Sequence, residues 1–329
     1  MNFPAKLSKG DQIRVISPAR SIKFIRSISS DIPILSQKKI ESLGLYVTYG
    51  KNSEGSSNSD TTSIKSRLQD LEEAFLDPDV KAIISTIGGY NCGELLNFIN
   101  YDIIRKNPKI FIGYSNITSL QNALLKKAEL VTYYGINFFD FAEKKNFELS
   151  YNSIKDVLFK EEAYILRSSE FWSNDYWAVN QINRDFKKSN GLKVLREGSA
   201  KGSILGGNID TLVMLNQKYI LNLEGEILFL ETADRKMKNH SKFFREMLFA
   251  ISQFDGFYGL KGIVFGRFQS SLGITTEAIT DALDKIGLYV PTIMNADFGH
   301  TNPKNIFPIG GYAAIDANIN NPEIKIINH

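Results

Sequence analysis

Cysteine is nearly absent from this chain: Cys92 stands alone, so no internal disulfide framework braces the fold. Histidine is almost as scarce. His240, His300 and His329 are the only three, and none is spaced with a cysteine partner in the manner of a zinc site. No metal is expected. No cofactor is expected either, since no full dinucleotide or P-loop glycine pattern follows a strand-like run. Long apolar runs are missing, and nothing approaches the ~18 apolar residues of a membrane helix. The opening Met1-Asn2-Phe3-Pro4-Ala5-Lys6 carries no apolar signal core, which predicts a cytoplasmic protein. An excess of one charge is lacking too. With 39 basic against 36 acidic residues, a net +3, there is no electrostatic case for nucleic acid or a membrane surface as partner.

What the chain does have is apolar periodicity in quantity. Its 329 residues, 43 % of them hydrophobic, suffice for two domains with real cores. In the first half, strand-like Gln12–Ser17, Val80–Ile87 and Lys109–Tyr114 alternate with helical patterns such as Ser63–Phe75, which ends at Asp77-Pro78. That alternation predicts a mainly parallel sheet flanked by helices, with sites at the carboxyl ends of strands. Asn52–Ser63 reads as a flexible surface loop, and Phe147–Gly198, which holds both tryptophans, as the crossing and the rim of a site. The second half differs. Short strands at Ala200–Leu205, Glu226–Leu230, Gly262–Phe265, Ala313–Asp316 and Glu323–Ile327 surround helices at Asn208–Leu215, Ser241–Phe254 and Thr276–Ile286. The expected architecture is an α/β N-terminal domain over residues 1–166 and a mixed α+β C-terminal domain over 167–329.

Three polar residues each close an apolar strand-like run and precede a turn. Ser115 follows Lys109-Ile110-Phe111-Ile112-Gly113-Tyr114 and precedes the helical pattern Ile117, Leu120, Ala123, Leu124. A serine at a sharp strand-to-helix turn is held rigidly at the positive end of the next helix, where acyl-transfer enzymes place a nucleophile. Taken alone, a serine at a helix start is more often an ordinary N-cap. A serine hydroxyl needs a base. His329 is terminal and expected to fray, while His240, in the polar stretch Asp234–His240, reads as a solvated histidine. His300 lies in the Gly-flanked turn Asp297-Phe298-Gly299-His300 after the apolar Val290–Met294, and either serves as base or only packs. Glu231 ends Ile227-Leu228-Phe229-Leu230 and is either an orienting acceptor for an imidazole, or a salt-bridge partner or cap to the following helix. Cys92 has no basic sequence neighbour, and Glu94 opposes a thiolate, so it reads as a bystander thiol.

Taken together, the chain resembles the LD-carboxypeptidase family of serine peptidases, and within it the microcin C immunity branch. The resemblance runs almost end to end. It includes Lys9-Gly10-Asp11 through Ser17-Pro18, Arg67-Leu68-Gln69-Asp70-Leu71, Gly88-Gly89-Tyr90, Ile112-Gly113-Tyr114-Ser115, Leu205-Gly206-Gly207-Asn208, Gly262 through Arg267, Phe298-Gly299-His300-Thr301 and Pro308-Ile309-Gly310. It implies a flavodoxin-like N-terminal domain and a Ser-Glu-His triad, here Ser115, Glu231 and His300. It also implies an oxyanion hole at the Gly89 and Asn116 amides, and substrate contacts at Gly88, Trp172 and Asn208. With Ser115 in the first domain and the other two in the second, the triad would close only across the domain interface, and a homodimer partner would brace that cleft.

Two departures stand out. Asn116 replaces the family's usual aspartate after the nucleophile. The segment Ser169–Trp177 resembles a loop of the immunity branch, but Gly191-Leu192 stands where that branch commonly has Gly-Trp, which removes an aromatic platform for a nucleotide base. The function expected is cleavage of an amide next to a free carboxylate, with microcin C-type aminoacyl or peptidyl nucleotides as the substrates, in self-immunity or detoxification. The alternatives are a murein tetrapeptide LD-carboxypeptidase and a non-catalytic small-ligand-binding protein.

Overall fold

A computed structural model of the chain describes residues 1–55, 60–215, 217–234 and 239–329. The first sheet is built from β1 (Gln12–Ile16), β2 (Tyr46–Tyr49), β3 (Val80–Ser85), β4 (Ile110–Gly113) and β5 (Thr132–Tyr134). These lie parallel in the order β2-β1-β3-β4-β5, the doubly wound order of flavodoxin-like folds. The two-residue period of the strands buries both faces. Val15, Ile84 and Ile112 point into one apolar cluster, and Ile16, Ile83 and Phe111 into another. Flanking helices are α1 (Ile22–Ile28), α2 (Asp31–Glu41), α3 (Ile64–Leu76), α4 (Tyr101–Lys106), α5 (Thr118–Ala128) and α6 (Glu148–Phe159). In α3 the Ser63 hydroxyl accepts from Ser66 N at 3.1 Å, while Leu71, Ala74 and Phe75 bury one face.

The second half supplies β6 (Tyr164–Ile165), a small ribbon of β7 (Phe171–Trp172) and β8 (Lys187–Lys188), then β9 (Lys193–Arg196), β10 (Gly198–Asn208), β11 (Ile227–Glu231), β12 (Gly262–Gly266), β13 (Thr292–Ala296), β14 (Phe307–Ile309), β15 (Tyr312–Ala317) and β16 (Glu323–Asn328). Eight of these form a mixed sheet, β6-β16-β15-β10-β11-β12-β13-β9, whose central β10 to β13 are parallel and whose outer neighbours are antiparallel. Helices α7 (Ile209–Leu212), α8 (His240–Ile251) and α9 (Thr276–Ile286) accompany it. The molecule is thus a two-domain α/β protein, as expected. Strand β14 crosses between its halves: it pairs antiparallel with β5, Phe307 opposite Tyr134.

Several expectations need correction. His329 does not fray. It is buried, its Nδ1 lies 2.6 Å from Lys6 Nζ, and its ring meets Tyr164 edge to face. His240 is not solvated but buried at the start of α8, and residues 235–238 of its polar stretch lie outside the described residues. The Asn52–Ser63 loop is tied at both described ends. Asn52 donates to Asp70 and Thr61 Oγ1 donates to the Ala19 carbonyl at 2.5 Å, with residues 56–59 outside the description. No helix among the described residues is long and apolar enough to cross a membrane.

Phe307 joins the sheets physically. Its ring lies 5.1 Å from Tyr134, and 4.9 Å from both Phe229 of β11 and Phe298. Truncating a fully buried phenylalanine costs about 3–5 kcal/mol. Phe307→Ala is therefore expected to lower the urea midpoint by a corresponding amount and to loosen both halves together, read by tyrosine and tryptophan fluorescence in one titration.

Candidate active site

Ser115 stands where β4 gives way, through one tight turn, to α5. Its backbone is in the left-handed region at φ +65°, uncommon for a residue with a side chain and of the kind that concentrates at functional turns. The hydroxyl does not cap α5, as the N-cap reading would require. It lies 3.1 Å from His300 Nε2 instead. On the other side of the ring, His300 Nδ1 is 2.6 Å from Glu231 Oε2. The sequence had offered a packing role for His300 and a cap or salt bridge for Glu231. The structure instead brings both to Ser115, Glu231 from the end of β11 and His300 from the turn after β13.

The carboxyl of Glu231 has no exposure and receives three partners: His300, Tyr134 Oη at 2.6 Å and Asn208 Nδ2 at 3.0 Å. Burial alone pushes this carboxyl up. The adjacent imidazole and the hydrogen bonds from His300, Tyr134 and Asn208 outweigh burial and hold it below its ordinary value. Asn208 comes to hand because β10 and β11 run parallel with Asn208 opposite Glu231. Its Oδ1 also accepts from Thr211 N at 3.1 Å, capping α7, so both ends of the amide are used. Tyr134 bridges the two domains: its hydroxyl donates to Glu231 and accepts from Ser115 N at 3.1 Å. Burial, with Glu231 beside it, drives its phenol well above the ordinary range, so it remains a donor.

Two glycines are explained by close approach. A side chain on Gly88 would stand 2.9 Å from Ser115 Cβ and 3.0 Å from its Oγ. One on Gly299, at φ +99°, would stand 2.7 Å from Glu231 Oε2. The neighbouring Gly89 amide donates to no described residue. Asn116 Oδ1 accepts from Cys92 N at 2.9 Å, so this side chain ties the Gly-rich turn to the start of α5, a task an aspartate would perform equally. Cys92 is buried and its thiol is pushed up to about 11 by that burial, in keeping with a bystander.

Around Ser115 opens a cleft of about 360 Å³, a volume suited to a small peptide or nucleotide. Gly88, Gly89, Asn116, Asn208 and His300 line it. Trp172 does not. Its ring is flanked by the Lys187 and Arg267 cations, each 5.2 Å away, and the tryptophan on the wall is Trp177 of the same loop. Sequence reasoning also missed Tyr134, Tyr114, Asp140 and Lys304. Lys304 is buried, 3.0 Å from Asp140 Oδ1, and hydrogen-bonds Asn302 Oδ1. The motif Thr301-Asn302-Pro303-Lys304 beside His300 was the only signal for it. Among the described residues no cluster of side chains could hold a metal ion.

A serine at a strained strand-to-helix turn, hydrogen-bonded to a histidine that a buried carboxylate orients, belongs to the serine hydrolases. The particular family is shown by comparison. Residues 13–135 match the LD-carboxypeptidase N-terminal domain and residues 201–315 the LD-carboxypeptidase C-terminal domain. The chain is 36 % identical to the putative carboxypeptidase YocD of Bacillus subtilis, over 99 % of this chain and 100 % of that one. It is 32 % identical to the microcin C7 self-immunity protein MccF of Escherichia coli, over 77 % of this chain and 76 % of that one. Solved structures of MccF, one in complex with glutamyl sulfamoyl guanosine, superpose with a TM-score of 0.87 at 27 % identity, over 99 % of this chain and 98 % of that one. An MccF-like protein from Bacillus anthracis superposes over 100 % of both chains with a TM-score of 0.95 at 41 % identity. The chain belongs to the LD-carboxypeptidase family and is a hydrolase of the serine carboxypeptidase type.

Two outcomes are expected. An unfolded glutamate titrates near ~4.3, and the folded Glu231 lies lower. Its contribution to stability is complete above the unfolded value and lost as pH falls through the folded one. Glu231→Gln should therefore flatten the acid limb of a plot of urea midpoint against pH. For Asn116, substitution by aspartate should leave the rate of Ser115 labelling by a fluorophosphonate within about 3-fold, whereas Asn116→Ala, lacking the acceptor for Cys92 N, should slow it by about 10-fold.

Proposed function

We propose that the chain is a cofactor-free serine peptidase or amidase that cleaves an amide next to a free carboxylate, with microcin C-type aminoacyl or peptidyl nucleotides as substrates. The observation that carries this reading is the unbroken chain from Ser115 Oγ through His300 to the buried Glu231, opening on the cleft. Ser115 Oγ attacks the scissile carbonyl and its proton passes to His300 Nε2. Glu231 fixes the tautomer with Nδ1–H toward itself and stabilises the imidazolium. The oxyanion is held by the Gly89 and Asn116 amides at the positive end of α5. His300 then protonates the departing nitrogen, leaving an acyl-Ser115. Water, deprotonated by the same histidine, releases the acid and restores the serine.

The nucleotide preference is supported by the likeness to MccF, whose solved complexes contain glutamyl sulfamoyl guanosine and aspartyl sulfamoyl adenosine. It is also supported by the exposed Tyr176 on the cleft wall. The second reading, release of a terminal D-amino acid from a murein tetrapeptide, is favoured by one observation. Trp177 is only 3 % exposed and packs on Phe139 at 4.6 Å, so its ring face is already occupied.

Incubation with aspartyl-sulfamoyl adenosine and a murein L,D-tetrapeptide together, followed by mass spectrometry, separates the readings. Release of aspartate alone is expected, and Ser115→Ala should abolish it. Release of D-alanine alone would transfer the chain to cell-wall peptides. Cleavage of neither, with no phosphonate adduct on Ser115, would leave a small-ligand binder.

A further inference from the structure

A substrate with a free carboxylate beside its scissile amide brings a charge into the cleft, and something must meet it. Among the described residues two cations line the cleft, Arg20 and Lys304. Lys304 is committed. It and Asp140 are 5 % and 2 % exposed, 3.0 Å apart, and a second donor goes to Asn302. The acids on the wall are engaged as well: Asp175 is paired with Arg184 at 2.7 Å, and Asp234 Oδ2 accepts from Ser271 Oγ at 2.6 Å.

Arg20 differs in every respect. Its side chain is 26 % exposed, its one ion pair is a loose 3.7 Å contact with the half-exposed Asp60, and it makes no hydrogen bond among the described residues. Its position is nevertheless fixed. The guanidinium lies 4.3 Å from the Phe24 ring centre and 5.0 Å from that of Tyr90, both of which also line the cleft. The aliphatic stem packs against the Gly-rich turn so closely that a side chain on Gly89 would stand 3.1 Å from Arg20 Cγ. Gly88 of that turn in its turn abuts Ser115. The result is a guanidinium lying against two aromatic rings, next to the turn that approaches the serine, with no donor spent on a hydrogen bond among the described residues. A planar five-donor fork of this kind matches a carboxylate bidentately, which a lysine cannot do.

We propose that Arg20 is the carboxylate-recognising residue of the cleft, binding the free carboxylate of the substrate while its amide lies against Ser115. The inference rests on the hydrolase reading for its substrate class. It explains how a site without exposed Lys304 charge selects an acidic substrate, and why Phe24 and Tyr90 stand where they do.

The test uses binding, which needs no turnover. Ser115→Ala protein is titrated calorimetrically with two pairs of ligands: aspartyl- against asparaginyl-sulfamoyl adenosine, and a murein tetrapeptide against its C-terminal carboxamide. Adding Arg20→Ala should weaken the acidic member of one pair by about 10- to 100-fold, the loss expected of a charge-assisted bidentate contact. The neutral member should change by less than about 3-fold. Arg20→Lys should recover part of the loss, which a misfolded variant would not do. The pair that responds identifies which carboxylate is held. Equal losses on both members of each pair, or no loss on any, would overturn the proposal, as would a failure of the parent protein to bind all four. Selective loss in a protein whose Ser115 form hydrolyses neither substrate would leave Arg20 standing and sink the hydrolase reading alone.

Discussion

A carboxylate with no solvent exposure is tolerable only when charged or polar donors surround it, and the whole molecule is arranged around meeting that requirement at Glu231. Its donors come from different parts of the fold: Tyr134 from the last parallel strand of the first sheet, Asn208 from the neighbouring strand of the second, and His300 from the turn after β13. Satisfying one charge therefore fixes the position of one sheet against the other. The Tyr134 hydroxyl also receives the Ser115 amide, so the turn bearing the serine is tied to the carboxylate by a route that does not pass through histidine. Aromatic packing completes the junction, with Phe307 reaching from β14 to Tyr134, Phe229 and Phe298.

The same economy of space accounts for the backbone. Ser115 adopts a left-handed conformation that a side chain disfavours, and Gly88 and Gly299 leave no room for a Cβ beside it or beside Glu231. Such strain persists only where surrounding contacts over-determine it. Here they do. Asn116 anchors the Gly-rich turn through Cys92 N, and Arg67 holds the same turn by donating to the Asn91 and Pro18 carbonyls. A serine on so constrained a loop has its hydroxyl direction set before any ligand arrives, which is the condition for efficient acyl transfer.

How far the sequence could be read depended on the range of the interaction concerned. The strands and helices were legible because their burial pattern is local. Alternation at Ile83, Ile84, Phe111 and Ile112, or the Ser63 cap ahead of Leu71 and Phe75, decides its own conformation. Ser115, Glu231 and His300 were legible because each ends an apolar run and precedes a turn, and the family resemblance supplied their grouping. Trp172 was expected at the cleft and Trp177 lines it instead, because two tryptophans five residues apart in one loop are indistinguishable by composition. His329 looked free because chain ends usually are, and nothing local announces that Lys6 and Tyr164 await it.

The sequence by itself determined the doubly wound first half, the mixed second half and the candidacy of Ser115, Glu231 and His300, since these follow from periodicity, turn residues and family pattern. Only the tertiary structure decided what those residues touch. Ser115 and His300 are 185 positions apart and Tyr134 and Glu231 are 97. Such pairs form because β14 crosses to the first sheet and β10 and β11 align Asn208 with Glu231. Strand order and register are cooperative properties of the packed sheets, and no local window contains them.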